Sequence, residues 1–222
     1  KYKGEFIGSS RYSDITVFSF HPVKIITTAE GGMVLTNNDE LAYKMTILRS
    51  HGITRDSEHM THAPDGPWYY QQIDLGYNYR MTELQAALGI SQMERLHTYV
   101  ARRHQLANRY DELLGNLPLT KPWQHPDSYS GLHLYVIRLE LGKIQKTHRQ
   151  VFEELRHLGI GVNLHYIPIH TQPYYQNMGF KAGDFPESER YYAEAISLPI
   201  FQTLTDLLQD KVVDTLRKVL IK

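Results

Sequence analysis

The chain has 222 residues, 41% of them hydrophobic, which is enough for one large domain or two small ones with a sizeable core. Its 24 basic and 24 acidic residues cancel without a long run of either sign, so there is no electrostatic footprint for nucleic acid. The absence of cysteine excludes disulfides and thiolate metal sites, no metal site is predicted, and no signal peptide or bilayer-length apolar run is seen, so the default expectation is a cytoplasmic protein that meets no membrane.

In chain order, the opening KYKGEFIGSSRYSD has no initiator methionine and leads into a strand-like run with no structural unit before it, as the remainder of something longer would. Residues 14–20 and 32–37 are rich in β-branched and aromatic types and predict two strands flanking a turn that carries Lys24. Asn38 is a plausible cap for a helix with Leu41, Met45 and Leu48 on one face, stopping at Gly52. Residues 53–75, with HAPDGPWYYQQ, show turn residues and aromatics but no period, as long functional loops do. Thr82 and Gln85 form a capping-box pattern ahead of a long helical stretch with Leu84, Ala87 and Leu88, which runs to Gly115 and is expected to bend or break near 97–101.

Beyond the proline-containing stretch 118–127, GLHLYVIRLEL predicts a strand, and Thr147 with Gln150 caps a helix whose Val151, Leu155 and Leu158 face inward. IGVNLHYIPI resumes strand character, and a last amphipathic helix carries Leu208, Val212, Leu216 and Val219. The alternation of strands and helices gives an α/β class, divided into residues 1–115 and a second lobe, 116–222.

Lys24 carries the chemical question. It is either a surface lysine with a snorkelling stem or an amine in an apolar setting. Such a setting disfavours the charged ammonium, and a neutral amine can attack a carbonyl to form a Schiff base, the chemistry that pyridoxal phosphate uses. Ser19, Thr27 and Thr28 lie close in sequence, and such hydroxyls either hydrogen-bond a phosphate or simply reflect β-propensity and turn chemistry.

Five segments, FSFHPVKIITTAEGGMVLTNN, LRSHGI, DLGYNYRMTELQAALG, GIGVNLHYIPIHTQPYY and FPESERYYAEAISLPIF, occur in the order and spacing found in sugar-nucleotide aminotransferases of the DegT/StrS type, and the chain resembles that family over essentially its whole length. The resemblance implies the C-terminal portion of a fold-type I transferase dependent on pyridoxal 5′-phosphate: the remainder of the large cofactor-binding domain with a linking long helix over 1–115, then a small α/β domain over 116–222. Lys24 matches the family lysine that bonds covalently to the cofactor, and Ser19 a hydroxyl that binds its phosphate. Asn78 of GYNYR matches an asparagine that reaches the phosphate of the neighbouring subunit, which implies a homodimer with shared active sites. Arg80 either supports that loop or makes an ordinary ion pair. His51, His165 and Tyr166 match positions near the substrate or the site rim, where a structural hydrogen bond explains each histidine equally well.

The wording of SFHPVKIITTAEGG and GVNLHYIPIHTQPYY is most similar to the branch that makes UDP-4-amino-4,6-dideoxy-N-acetyl-β-L-altrosamine, so the implied reaction moves an amino group from glutamate to a UDP-linked 4-keto sugar for surface glycan synthesis. Aromatic and histidine groups at 68–70 and 165–170 are candidates for holding sugar and nucleotide. Family members carry, upstream of the part represented here, an aspartate for the pyridinium nitrogen, a stacking aromatic and a phosphate turn, so residues 1–222 alone are expected to be inactive. The rival readings are an aminotransferase for another keto sugar (perosamine, 4-amino-arabinose or antibiotic sugars) and a non-catalytic relative used as an interaction module.

Overall fold

The computed structural model describes residues 1–221. The two strands expected around Lys24 form as β1 (Thr16–Ser19) and β2 (Gly32–Leu35), an antiparallel pair in which Thr16 faces Leu35 and Ser19 faces Gly32. Asn38 caps α1 (Asp39–Arg49): its side chain accepts the Leu41 amide at 3.0 Å, and Asp39 and Glu40 occupy the first turn, where the helix dipole favours negative charge. The helix ends in a left-handed pair, His51 at φ 64° and Gly52 at φ 71°. A Cβ on Gly52 would lie 1.8 Å from the Asp74 carbonyl oxygen, so two backbones touch there and only glycine fits.

The aperiodic stretch after Gly52 is folded by pairing that sequence periodicity does not reveal. Two-residue strands β3 (Ile53–Thr54) and β4 (Gln71–Gln72) pair antiparallel, and the intervening loop closes on buried Gln71. Its Oε1 accepts the Thr61 amide at 2.7 Å, and its Nε2 lies 3.0 Å from His62 Nδ1. The capping box predicted from Thr82 and Gln85 opens α2 (Glu83–Met93). The helical stretch breaks at Glu94–Arg95, earlier than the expected 97–101, before α3 (Leu96–Leu113). At the break the Arg95 amide turns to the Gln92 carbonyl, a tighter register than the α-helix, and its guanidinium folds back to Ser91 Oγ at 3.0 Å.

Downstream lie β5 (Leu119–Thr120), β6 (Tyr135–Leu139), α4 (His148–His157), the short α5 (Pro173–Gln176), α6 (Pro186–Glu194), β7 (Ala195–Leu198) and α7 (Asp206–Ile221). The strands form an antiparallel sheet in the order β5-β6-β7, with Tyr135 facing Leu198 and Arg138 facing Ala195. β7 is buried at all four positions, so it has no polar alternation to betray it in the sequence. Thr147 and Gln150 form their capping box on α4. Val151 and Leu155 are buried as expected, whereas Leu158 is the exposed C-cap, rotated out of the apolar face as the helix ends. In α7, Val212, Leu216 and Val219 are buried but Leu208, in its first turn, is half exposed. The strand expected over 160–169 does not form: Asn163 alone bridges to Ser197, and the chain then leaves the sheet towards Pro168, which has no amide to donate.

The chain divides into two compact units, Lys1–Leu96 with Asp127–Tyr129, and His97–Pro126 with the residues from Ser130 on. This division falls near residue 96, where Leu106, Ala107, Tyr110 and Leu114 join the core of the second unit. That core joins α3 to Ile137 and Leu139 of β6, Val151 and Leu155 of α4, Ile196 of β7 and Leu216 of α7. Each such side chain contributes about 1.5–3 kcal/mol by leaving water. The first unit buries little: Ile26 and Ile47 are its fully buried apolar residues among those described, α2 buries none, and Leu84 on that helix is 86% exposed.

Candidate active site

Lys24 lies on the turn between β1 and β2, where its amide donates to the His21 carbonyl at 2.9 Å. The side chain is half-buried rather than enclosed, and its neighbour Val23 is 59% exposed. The apolar run around it marks a surface that nothing covers among the described residues. Its Nζ has neither a hydrogen bond nor an ion pair among the described residues, while neighbouring His21 and Glu30 approach each other at 3.8 Å. Ser19, at the end of β1, is exposed, and its Oγ accepts only a long 3.5 Å contact from the His21 amide. An uncompensated amine and a nearly free hydroxyl five residues earlier fit a ligand that brings both a carbonyl and an anionic oxygen.

Thr28 holds this turn in place. It is 2% exposed, its Oγ1 donates to the Glu30 carbonyl at 2.7 Å, and a Cβ on Gly31 would sit 2.4 Å from that oxygen and 2.9 Å from Met81 Cε. Its methyl group faces Gly89 of α2, where a Cβ would be 2.9 Å away. The Lys24 turn is therefore packed on the Met81–Gly89 segment, which begins just after Asn78 and Arg80. Sequence periodicity could not reveal Thr28; the paired small residues around it were the available signal.

His51 and Asn78 are brought side by side. Ser50 and Asn78 form an isolated antiparallel bridge, and the His51 amide donates to Tyr77 at 2.8 Å. Both side chains are exposed and make no hydrogen bond among the described residues, and the same holds for Arg80, which has no ion pair there. The Tyr77 and Tyr79 rings that flank Asn78 stack at 4.8 Å.

His165 and Tyr166 belong to the second unit. His165 is engaged structurally, its Nδ1 2.7 Å from Ser197 Oγ, and Tyr166, a residue 69% exposed, stands edge-on to it. The strongest polar pair of this region lies outside the expected residues: buried His170 places Nε2 2.7 Å from Glu189 Oε1. The His170 hydrogen bond, then the Gly183 amide, hold the Glu189 carboxyl below its usual range. Arg103 also escaped sequence reasoning; it is buried, donates to the Leu132, His133 and Ile200 carbonyls at 3.0–3.2 Å, and desolvation lowers its pKa. A recess of about 550 Å³ beside Lys143 and Lys146 offers no free cation, because these amines are bound by Glu140 and by Glu154 with the Val219 carbonyl. No helix among the described residues is long and apolar enough to cross a membrane, and no cluster of three or more metal-ligating side chains is present among them.

A sequence model of the DegT/DnrJ/EryC1/StrS aminotransferase family matches residues 1–217. The chain belongs to this family. Among curated members, the spore coat polysaccharide biosynthesis protein SpsC of Bacillus subtilis is 37% identical over 98% of this chain and 56% of its own length. The UDP-4-amino-4,6-dideoxy-N-acetyl-β-L-altrosamine transaminase of Campylobacter jejuni is 35% identical over 100% of this chain and 56% of its own. Spr1654 of Streptococcus pneumoniae, a candidate sugar aminotransferase solved in its PLP form, superposes with a TM-score of 0.86 at 32% identity, over 98% of this chain and 54% of its own. The α/β fold thus matches part of a fold-type I aminotransferase, and the chain spans about half the length of the curated relatives it matches.

Proposed function

We propose that the protein, in its full length, transfers an amino group from glutamate to a UDP-4-keto-6-deoxy-N-acetylhexosamine with pyridoxal 5′-phosphate as cofactor, giving a 4-amino sugar nucleotide for surface glycan synthesis. The observation that carries this proposal is the unpaired Lys24 amine on the β1–β2 turn of a chain 35% identical to an altrosamine transaminase.

Lys24 Nζ is the group suited to hold the carbonyl end of the cofactor, and Ser19 Oγ to hold its phosphate. Asn78 would reach the phosphate bound by a second copy of the chain, which makes the active form a homodimer with shared sites. When bound, pyridoxal phosphate supplies a conjugated ring that takes up the electron pair left by breaking the donor's Cα–H bond. Lys24 Nζ, released from the carbonyl carbon when the donor's amine takes its place there, would accept that proton, and it would move a proton in the opposite sense when the keto sugar is aminated. His51 offers an uncommitted ring, and His165 with Tyr166 a hydrogen-bonded ring beside an exposed aromatic face, for the sugar nucleotide. The proposed setting is the cytoplasm.

A second substrate deserves equal testing, because SpsC, named for polysaccharide biosynthesis, is as similar as the altrosamine transaminase. The deciding experiment offers the full-length protein glutamate with UDP-, GDP- and dTDP-linked 4-keto sugars and reads the amine's stereochemistry by NMR. Turnover of the UDP-linked N-acetylhexosamine supports the proposal. Turnover of a GDP- or dTDP-linked sugar alone rejects the substrate assignment, and no turnover of any rejects the activity.

A further inference from the structure

The segment Asn163–His170 is an arch, pinned at both ends and open in the middle. At its start, Asn163 and Ser197 exchange backbone hydrogen bonds of 3.3 and 2.8 Å, and the His165 ring meets Ser197 Oγ at 2.7 Å. At its end, His170 is 6% exposed and its Nε2 meets Glu189 Oε1 of α6 at 2.7 Å. The same carboxylate oxygen accepts the Gly183 amide at 2.7 Å, and the His170 ring packs on Phe185 at 4.8 Å. An ionised carboxylate only accepts hydrogen bonds, so His170 presents an N–H at Nε2 and the pair has a fixed sense. Thr171 Oγ1 closes onto the Pro168 carbonyl at 2.7 Å beside this anchor. Between the anchors the chain shows Tyr166, 69% exposed, and Ile167, 50% exposed.

The arch sequence NLHYIPIH contains no lysine, arginine, aspartate or glutamate. An amino donor such as glutamate carries three charges and needs ionic partners that the arch lacks. An aromatic face beside an isoleucine instead suits the flat, weakly polar surface of a nucleotide base. We infer that Glu189, acting through His170, is a positioning residue that holds the Tyr166 arch for the nucleotide part of the sugar nucleotide. The inference rests on the proposed aminotransferase function and adds how one of its two substrates is held.

The test uses the full-length protein with Glu189→Ala, Glu189→Gln and His170→Gln. Two quantities are read: calorimetric binding of UDP, GDP and dTDP, and the rate at which glutamate alone changes the cofactor absorbance. Glu189→Ala should weaken binding of whichever nucleotide the wild type takes by about tenfold and raise KM for its sugar nucleotide alike, while the glutamate step changes less than about twofold. Glu189→Gln, which keeps an acceptor oxygen, should recover part of the loss. If Glu189→Ala does not fold, as judged by circular dichroism, His170→Gln must show the same split. Unchanged nucleotide binding, or equal loss of binding and of the glutamate step, overturns the positioning role. A wild type that binds nucleotide but shows no response to glutamate rejects the aminotransferase proposal and this inference with it, whereas a wild type that responds to glutamate but binds none of the three nucleotides rejects the inference alone.

Discussion

Lys24 and Glu189 stand at opposite ends of what a side chain can do with a charge. The Lys24 amine has no partner among the described residues, which leaves it available for covalent chemistry. Lys24→Ala should therefore lower turnover by on the order of a thousand-fold or more while leaving the far-ultraviolet circular dichroism of the full-length protein unchanged. Glu189, in contrast, is committed to His170 and the Gly183 amide, and both hold its carboxyl below the ordinary value of 4.5. A carboxyl depressed on folding favours the folded state when ionised. Its contribution is complete above the unfolded value and is lost as pH falls through the lower folded one. The urea midpoint should therefore fall between pH 5 and pH 3 by less in Glu189→Gln than in wild type; identical slopes would show that the pair does not form in solution.

Elements with strong local chemistry formed where the sequence placed them. Thr82–Gln85 and Thr147–Gln150 each make both hydrogen bonds of a capping box, Asn38 caps α1, and the two strands around Lys24 pair over the residues that predicted them. Thr147→Ala should cost about 1 kcal/mol in denaturant unfolding. What stayed hidden depends on contacts distant in sequence. β7 lacks alternation because both faces are buried, the strand expected at 160–169 gives way to side-chain anchors on Ser197 and Glu189, and the loop before α2 is organised by one buried glutamine. Of the candidate site, the residues proposed at 19, 24, 51 and 78 came from the motifs, but the support from Thr28 did not, since its role arises from the closeness of Gly31 and Gly89. The Gly52 crossing is equally non-local. Gly52→Ala forces a Cβ into the Asp74 carbonyl and should destabilise by more than about 2 kcal/mol, well beyond the usual cost of losing a left-handed glycine.

At the scale of the whole molecule, the described core lies in the second unit, whereas the first unit, which carries Lys24, Ser19, His51 and Asn78, presents exposed apolar side chains on β1 and along α2. Amide exchange should accordingly be slowest in β6, β7 and α4, and faster around β1 and β2. Leu155→Ala, which empties a fully buried position, should cost about 2–5 kcal/mol. The candidate chemistry therefore lies in the unit with little described core, and its central claim is covalent: Lys24 is the residue that carries the cofactor. Borohydride reduction of the full-length protein with pyridoxal phosphate, followed by proteolysis and mass spectrometry, measures this directly. The predicted result is a reduced pyridoxyl group on the peptide containing Lys24, absent in Lys24→Ala. An adduct on another lysine, or none in a folded wild type, would contradict the assignment.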